Sequence, residues 1–187
     1  MSDSLRAFMA SLTSWLDAAA VPYMVAGSFA STLHGRPRST QDVDIVIDPT
    51  DATLRAFLAG VPTEHVYVDA LTARAALLSR DMFNLIDMDS GWKADLIVRK
   101  ARPFSVAEFE RRMRADWLGL SVFVATPEDV IVSKLEWCQK SGGSQRQLDD
   151  VAGVVAAVGP QLDRTYIETW VEALRLEDEW RALNAHG

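Results

Sequence analysis

The sequence predicts a mixed α/β half followed by a helical tail. Up to about residue 125, short apolar runs of strand length alternate with segments whose apolar residues recur at helical spacing. Beyond Gly142-Gly143, the clearest flexible break, the patterns are helical and no strand is predicted. We therefore predict two regions, a core over residues 1–125 and a C-terminal helical region over residues 126–187 that packs on the core.

The chain begins with a predicted helix, in which the apolar residues that recur at helical spacing are Leu5, Phe8, Met9, Leu12 and Leu16. Pro22 ends this helix, and residues 23–26 are predicted as a short strand. A second helix runs from Ser28 to about His34 and is broken by Gly35-Arg36-Pro37. Residues 42–48 form the next predicted strand.

The middle of the chain continues the alternation of helices and strands. The predicted elements are a helix capped by Thr50, a strand over 65–68, a helix over 70–79, strands over 83–88 and 94–99, a helix over 106–117 and a strand over 120–125. Thr126-Pro127-Glu128 combines a capping threonine with proline at the first helical position, which predicts a helix to about Gln139. Two or three further helices follow over residues 145–185.

Composition excludes several classes of protein. A net charge of −7 argues against a protein that coats nucleic acid, so we expect no bulk DNA binding. Cys138 is the single cysteine, so no disulfide can form within the chain. The N-terminal residues lack the pattern of a signal peptide, and no apolar run approaches the roughly 18 residues of a membrane span. We expect a cytoplasmic protein with no membrane partner.

Two aspartates, Asp42 and Asp44, stand in an apolar run on the same face of a predicted strand. Adjacent carboxylates repel each other unless a cation lies between them, and a pair of Mg²⁺ ions is the usual answer. Two exposed acids on an edge strand are the alternative. The apolar residues at 43 and 45–47 suggest burial on both faces of the strand, which favours metal binding because a buried unpaired carboxylate is costly.

Gly27 and Ser28 follow a short apolar run and begin a predicted helix. Backbone N–H groups at a helix N-terminus form a natural anion site. An ordinary turn with an ordinary N-cap is the alternative. The combination with Asp42 and Asp44 favours phosphate binding.

These residues together resemble the nucleotidyltransferase superfamily that includes DNA polymerase beta. Its motif is an apolar residue, Gly, Gly or Ser, a spacer of about a dozen residues, and then Asp-apolar-Asp-apolar. Gly27-Ser28 and Asp42-Val43-Asp44-Ile45 match each element. The resemblance implies the nucleotidyltransferase fold, a mixed sheet flanked by helices. It also implies that Gly27 and Ser28 hold the phosphates of a nucleoside triphosphate and that Asp42 and Asp44 chelate two Mg²⁺ ions.

The superfamily takes a third carboxylate from a later strand, and Asp95 is the candidate. It lies in the apolar segment Lys-Ala-Asp-Leu-Ile-Val-Arg. Asp87 is a rival for this role, and Asp89 is better explained as a turn residue. By the resemblance, Asp95 binds the catalytic metal and accepts the proton of the attacking hydroxyl.

Residues 38–44, Arg-Ser-Thr-Gln-Asp-Val-Asp, resemble the abortive-infection (AbiEii-type) toxin branch of the superfamily, whose members often show Arg-x-Thr-x-Asp-x-Asp. The resemblance implies that Arg38 and Thr40 help to bind the nucleotide. A solvated basic loop is the alternative for the arginine.

The same branch carries a lysine in a helix that begins with Pro-Glu-Asp, as at residues 127–129 here, and Lys134 lies in the apolar stripe of that helix. Such a lysine either reaches past the edge of the core or points into a cleft. The resemblance implies that Lys134 touches the triphosphate or orients the active site. Asp150 matches the second aspartate of the branch's fourth motif, whereas Gln147 stands where the first aspartate would be.

We therefore expect an Mg²⁺-dependent nucleotidyltransferase that moves a nucleoside monophosphate from a triphosphate to an acceptor hydroxyl on an RNA 3′ end or a protein. The toxin branch implies a toxin–antitoxin or phage-defence system with an antitoxin partner. Two alternatives stay open: a nucleotide- or partner-binding module without turnover, and a small-molecule (antibiotic) nucleotidyltransferase. The intact acids favour an enzyme, and Gln147 weighs against full toxin-like activity.

Overall fold

A computed structural model of the protein describes residues 3–35 and 42–184. Contacts divide these residues into two compact units. The first comprises residues 3–25 and 42–124, and the second comprises residues 26–35 and 125–184. One boundary lies beside the predicted boundary at residue 125, but residues 26–35 also group with the second unit. The prediction of a core over 1–125 and a separate region over 126–187 stays a prediction.

The first unit contains the strands β1 Tyr23–Val25, β2 Asp42–Ile47, β3 Val66–Val68, β4 Met82–Asp87, β5 Lys93–Val98, β6 Met113–Trp117 and β7 Leu120–Val124. Its helices are α1 Asp3–Ala18, α3 Asp51–Gly60, α4 Ala70–Ser79 and α5 Pro103–Arg111. The strands form one mixed sheet in the order β3-β4-β5-β2-β1-β7-β6. The pairs β2–β5 and β1–β7 are parallel, and the other neighbours are antiparallel.

The regular structure of residues 26–35 and 125–184 is helical throughout, as the sequence predicts for the C-terminal part. The helices are α2 Gly27–His34, α6 Pro127–Lys140, α7 Gln145–Val158, α8 Arg164–Leu174 and α9 Glu177–Asn184. A short 3₁₀ turn over Gly159–Gln161 separates α7 from α8. Among the helices of residues 3–35 and 42–184, none is long and apolar enough to cross a membrane.

The core of the first unit includes one face of β2 and β5. Val43, Ile45 and Ile47 of β2 are fully buried, and their partners on β5 are buried with them. The burial of each such side chain is worth about 1.5–3 kcal/mol. The opposite face of β2 carries Asp44 and Val46, which are only half-buried. The expectation of burial on both faces is therefore wrong, because β2 alternates strictly between a core face and a more open face.

Helix α1 supplies the apolar stripe that the sequence predicts, and Leu5, Phe8, Met9, Leu12 and Leu16 are all buried. Two side-chain hydrogen bonds tie its first turn to other parts of the unit. Trp92 Nε1 donates to Ser4 Oγ at 3.2 Å, and Arg6 Nε donates to the carbonyl of Leu118 at 2.8 Å. The helix is therefore anchored to two separate hairpins.

Residues 106–117 do not form one helix, which corrects the prediction for this segment. Helix α5 ends at Arg111, and β6 pairs antiparallel with β7. The two strands join through Leu118 and Gly119, whose φ angles of 53° and 75° are those of a tight hairpin turn. Asp116 Oδ1 accepts a hydrogen bond from the Gly119 N–H. Tertiary pairing with β7 overrides the helical pattern of residues 112–117.

The N-terminus of α6 is held by a buried carboxylate. Asp129 is fully buried and accepts the Thr126 hydroxyl at 2.6 Å and the Tyr166 hydroxyl at 2.5 Å. Thr126 caps the helix by accepting the Asp129 N–H. Hydrogen bonds to a buried charged group are among the stronger ones in proteins, so this network joins α6 to α8.

Tyr166→Phe should lower the free energy of unfolding by about 1.5–3 kcal/mol, because Asp129 loses one hydrogen bond where water cannot replace it. Urea denaturation followed by tryptophan fluorescence measures the change. Tyr67→Phe, at a tyrosine that is 53% exposed, is the matched control and should have no effect. Equal stability of the Tyr166 variant and the wild type would show that the network does not hold the unit together.

Candidate functional site

The parallel pairing of β2 with β5 brings the predicted acids together. In this ladder Asp44 lies directly beside Asp95, and Asp42 lies beside Lys93. Neighbouring residues of a ladder point to the same face of a sheet. Asp42, Asp44, Asp95 and Lys93 therefore share the more open face, which we call the carboxylate face. The structure thus brings the pair Asp42 and Asp44 together with the pair Lys93 and Asp95, which lies far away in sequence.

Lys93 is the residue of the carboxylate face that the sequence reasoning missed. Its Nζ atom lies 3.2 Å from Asp95 Oδ1 and 3.5 Å from Asp42 Oδ2. Partial burial opposes its charge, but the hydrogen bonds and charges of Asp95 and Asp42 outweigh that effect and raise the pKa of Lys93. A signal was present, because Lys93 stands two residues before Asp95 and therefore has the same strand phase.

Of the two acids that pair with Lys93, Asp95 is the more enclosed. Its side chain is 15% exposed, whereas the side chain of Asp42 is 52% exposed. Among the described residues, no hydrogen bond of good geometry reaches the buried Asp95 Oδ1, and Lys93 is its ion-pair partner. Asn84 on β4 lies on the other side of Asp95 and extends the polar row. A buried carboxylate oxygen beside a single, partly exposed lysine is well suited to binding another cation.

The rival acids Asp87 and Asp89 serve the hairpin turn between β4 and β5. Asp87 accepts the Ser90 hydroxyl at 2.5 Å and the Asp89 N–H at 3.1 Å. Asp89 Oδ2 lies 2.8 Å from His65 Nδ1. Asp87 is therefore occupied in the turn and Asp89 in a contact with His65, and Asp95 is the acid that lies beside Asp44.

Mg²⁺ fits the chemistry of the carboxylate face, since it prefers oxygen ligands and is commonly bound through one or two carboxylates. Within residues 3–35 and 42–184, no three acidic, histidine or cysteine side chains already converge as a ready metal site. Lys93 lies between two of the acids, so a metal ion would require this lysine to move aside. The roles of Asp42, Asp44 and Asp95 as metal ligands stay a prediction.

Gly27 and Ser28 open α2 in the second unit. Gly27 has a φ of 57°, a left-handed conformation that glycine adopts without strain, which explains the residue type at this turn. Both residues are half-buried, and the Ser31 hydroxyl donates to the Ser28 carbonyl at 3.0 Å. The turn therefore leads directly into the N-terminus of α2, which is where the phosphate-binding prediction places these residues. Arg38 and Thr40 lie outside the described residues.

Lys134 and Asp150 form a close ion pair in the second unit. Lys134 Nζ donates to Asp150 Oδ2 at 2.7 Å, and the two side chains are 7% and 11% exposed. The alternatives for Lys134 were a position at the core edge or in a cleft. The structure shows a buried lysine whose charge is matched by Asp150.

Gln147 lies one helical turn before Asp150 on α7, on the same side of the helix. Its Oε1 atom is buried and has no hydrogen-bond partner among the described residues. An aspartate at this position would place a second acid near the buried ion pair. Among the described residues, the ion-pair partner of Lys134 is Asp150.

Comparison with solved structures finds whole-chain similarity to nucleotidyltransferases. An antigenic nucleotidyltransferase-like protein from Paracoccidioides brasiliensis superposes with a TM-score of 0.62 at 18% identity, over 98% of this chain and 94% of that one. The antibiotic-resistance factor ANT(2'')-Ia superposes with a TM-score of 0.61 at 13% identity, over 100% of this chain and 98% of that one. The chain has the nucleotidyltransferase fold.

A second structure of ANT(2'')-Ia, in complex with adenylyl-2''-tobramycin, gives a TM-score of 0.61 at 12% identity, over 92% of this chain and 97% of that one. No protein-family model matches the sequence, and no similar sequence is found among curated proteins. At these identities the similarity establishes the nucleotidyltransferase fold and leaves the subtype open. The abortive-infection branch therefore stays a proposal.

Helix α2 of this nucleotidyltransferase fold ends at His34, whose Nε2–H donates to the carbonyl of Ala125 at 2.8 Å. Burial disfavours the charged imidazolium and lowers the pKa of His34, while the Ala125 hydrogen bond and the charge of Glu128 partly oppose this shift. The neutral ring is therefore the form that the folded protein prefers. The histidine joins α2 to the start of the C-terminal segment within the second unit.

His34→Gln should flatten the dependence of stability on pH in mildly acidic solution. The folded pKa lies below the ordinary value of 6.5, so the unfolded chain binds more protons at His34 as the pH falls below 6.5. The contribution of neutral His34 to the free energy of unfolding is therefore present above pH 6.5 and is lost as the pH falls below it. Thermal melts between pH 7 and pH 5 measure it, with His65→Gln at an exposed histidine as control. Parallel pH profiles of wild type and His34→Gln would contradict the assignment.

Proposed function

We propose that the protein transfers a nucleoside monophosphate from a nucleoside triphosphate to an acceptor hydroxyl. The observation that carries the proposal is the position of Asp44 beside Asp95, with Asp42 on the same face. A module that only bound a partner would gain nothing from acids held side by side, because like charges in adjacent ladder positions destabilise a sheet. The nucleotidyltransferase fold supports the same reading.

In the proposed reaction the acceptor oxygen attacks the α-phosphorus of the triphosphate. The bond from that phosphorus to the bridging oxygen of the β-phosphate breaks, and pyrophosphate leaves with its electron pair. The hydroxyl proton passes to a carboxylate, for which Asp95 is the candidate because it is the more enclosed acid. Mg²⁺ would supply neutralisation of the phosphate charge, and Asp42, Asp44 and Asp95 are the residues that would hold it.

Binding of the phosphates is assigned to residues of the second unit. The N-terminus of α2 at Gly27 and Ser28 offers the positive end of a helix dipole, to which phosphate groups bind readily. Lys134 adds a buried ammonium group whose charge Asp150 balances. We assign Arg38 and Thr40 to nucleotide binding on the sequence pattern alone.

For the acceptor we propose an RNA 3′ end or a protein hydroxyl, in a toxin-like role with an antitoxin partner. The pattern Arg-x-Thr-x-Asp-x-Asp over residues 38–44 supports this choice. A small-molecule acceptor is the second candidate. It is favoured by the whole-chain similarity to ANT(2'')-Ia, a protein whose structure is known with adenylyl-2''-tobramycin.

A labelling experiment separates these acceptors. The wild-type protein is incubated with each α-labelled nucleoside triphosphate and Mg²⁺, together with total RNA, total protein or tobramycin in separate reactions. Label in the RNA or protein fraction supports the toxin-like role, and label on tobramycin supports the small-molecule role. No label in any reaction, with Mg²⁺ or Mn²⁺, would favour a binding module without turnover.

Asp44→Asn should reduce labelling by at least about 100-fold, since even the outer-shell partners of metal ligands are worth 10–100-fold. The same change should leave the metal-free protein at least as stable as the wild type, because an amide beside Asp95 removes like-charge repulsion. Asp17→Asn, at an exposed acid on α1, controls for the change in net charge and should retain activity. A marked loss of thermal stability in Asp44→Asn would make this aspartate structural.

We expect Lys134 to strengthen the binding of a nucleoside triphosphate but not of a monophosphate, because its ammonium group would contact the β- or γ-phosphate. Lys134→Met alone would leave Asp150 buried without its cation, so the double variant Lys134→Met/Asp150→Asn is the better test. In calorimetric titration we expect its triphosphate affinity to fall about tenfold relative to Asp150→Asn, and its monophosphate affinity to stay the same. Equal losses for both ligands would leave Lys134 a structural residue.

A further inference from the structure

We propose that Lys93 is a displaceable counter-cation of the carboxylate face. In the metal-free protein its ammonium group offsets the charge of Asp42 and Asp95. It weakens metal binding because it competes for the same carboxylate oxygens. The inference rests on the proposed function, since it concerns the metal ligands of that reaction. It adds a residue that lies outside the nucleotidyltransferase motif.

The position of Lys93 follows from the strand register. Asp42 is its neighbour on β2, and Asp95 is its neighbour two residues along β5, so both acids flank it on one face. The ammonium nitrogen lies 3.5 Å from Asp42 Oδ2 and 3.2 Å from Asp95 Oδ1. One cation thus bridges two of the three acids that are proposed to bind the metal.

Lys93 is held only weakly by the two acids, as the length of its contacts and its exposure show. Charge-assisted N–H···O bonds in proteins are typically about 2.7–2.9 Å long, and both Lys93 contacts are longer. The side chain is 30% exposed, and its four-carbon stem can turn toward water without unfolding anything. Lys134 provides the contrast within the same chain, since it sits 2.7 Å from Asp150 with only 7% of its side chain exposed.

A bridging ammonium and a divalent cation compete for the same carboxylate oxygens. When Mg²⁺ binds, Lys93 has to withdraw, and its contacts with Asp42 and Asp95 are lost. A positive charge that stays nearby also repels the metal. Lys93 therefore lowers the metal affinity of the acids while it protects the metal-free strand pair from their mutual repulsion.

Lys93→Met tests the proposal through metal affinity rather than turnover. Mn²⁺ is titrated into the full chain, and free Mn²⁺ is counted by electron paramagnetic resonance. Removal of one unit charge next to the ligands should tighten Mn²⁺ binding by about tenfold. The melting temperature of Lys93→Met without metal should fall, and the rise on adding Mn²⁺ should exceed that of the wild type. Lys93→Gln gives a second neutral side chain should the methionine variant fold poorly.

Two controls make the result specific to this position. Lys93→Arg keeps the charge and should bind Mn²⁺ about as tightly as the wild type. Lys100→Met changes the net charge by the same amount at an exposed lysine just beyond β5 and should also leave the affinity unchanged.

Unchanged or weaker Mn²⁺ binding by both neutral variants, with a wild type that binds the ion, would overturn the role of Lys93 and leave the proposed function standing. Absence of Mn²⁺ binding by the wild type and by both neutral variants would overturn the metal site itself, and the proposed function with it.

Discussion

The parallel pairing of β2 with β5 is the constraint on which the candidate chemistry depends. Its register places Asp44 beside Asp95 and Asp42 beside Lys93, so a single ladder sets the composition of the whole carboxylate face. The buried residues on the other face, such as Ile45 and Leu96, hold that register, because a slip by one residue would turn every acid into the core. Apolar burial on one face thus determines the electrostatics of the other.

The two units handle charge in opposite ways. In the second unit Asp129 and Lys134 are buried, Asp150 is nearly so, and each of the three has a close hydrogen-bond partner. In the first unit the acids of the carboxylate face lie on a more open surface, and Lys93 contacts two of them, Asp42 and Asp95, at 3.5 Å and 3.2 Å. Breaking an enclosed pair of the first kind is strongly destabilising, whereas more exposed pairs of the second kind can be exchanged for a ligand at small cost.

Most of the fold could be predicted because its helices and strands carry strong local signals. Thr50 and Thr126 cap their helices as their sequence contexts predict, and the acids of β2 fall within an alternating strand. The prediction of a helix over residues 106–117 was wrong in its second half. Strand β6 forms there through pairing with β7 across the turn at Leu118 and Gly119. Such pairing is a non-local interaction, and a window of sequence does not contain it.

For the candidate site, the sequence by itself determined which residues are candidates for the chemistry. The spacing of Gly27-Ser28 and the alternation of Asp42 and Asp44 are local properties of the chain, and strand phase puts the two acids on one face. Only the tertiary structure decided that Asp95 rather than Asp87 lies beside them, and that Lys93 bridges two of the acids. The physical reason is that strand register is set by core packing between distant segments, which joins residues that no local pattern relates.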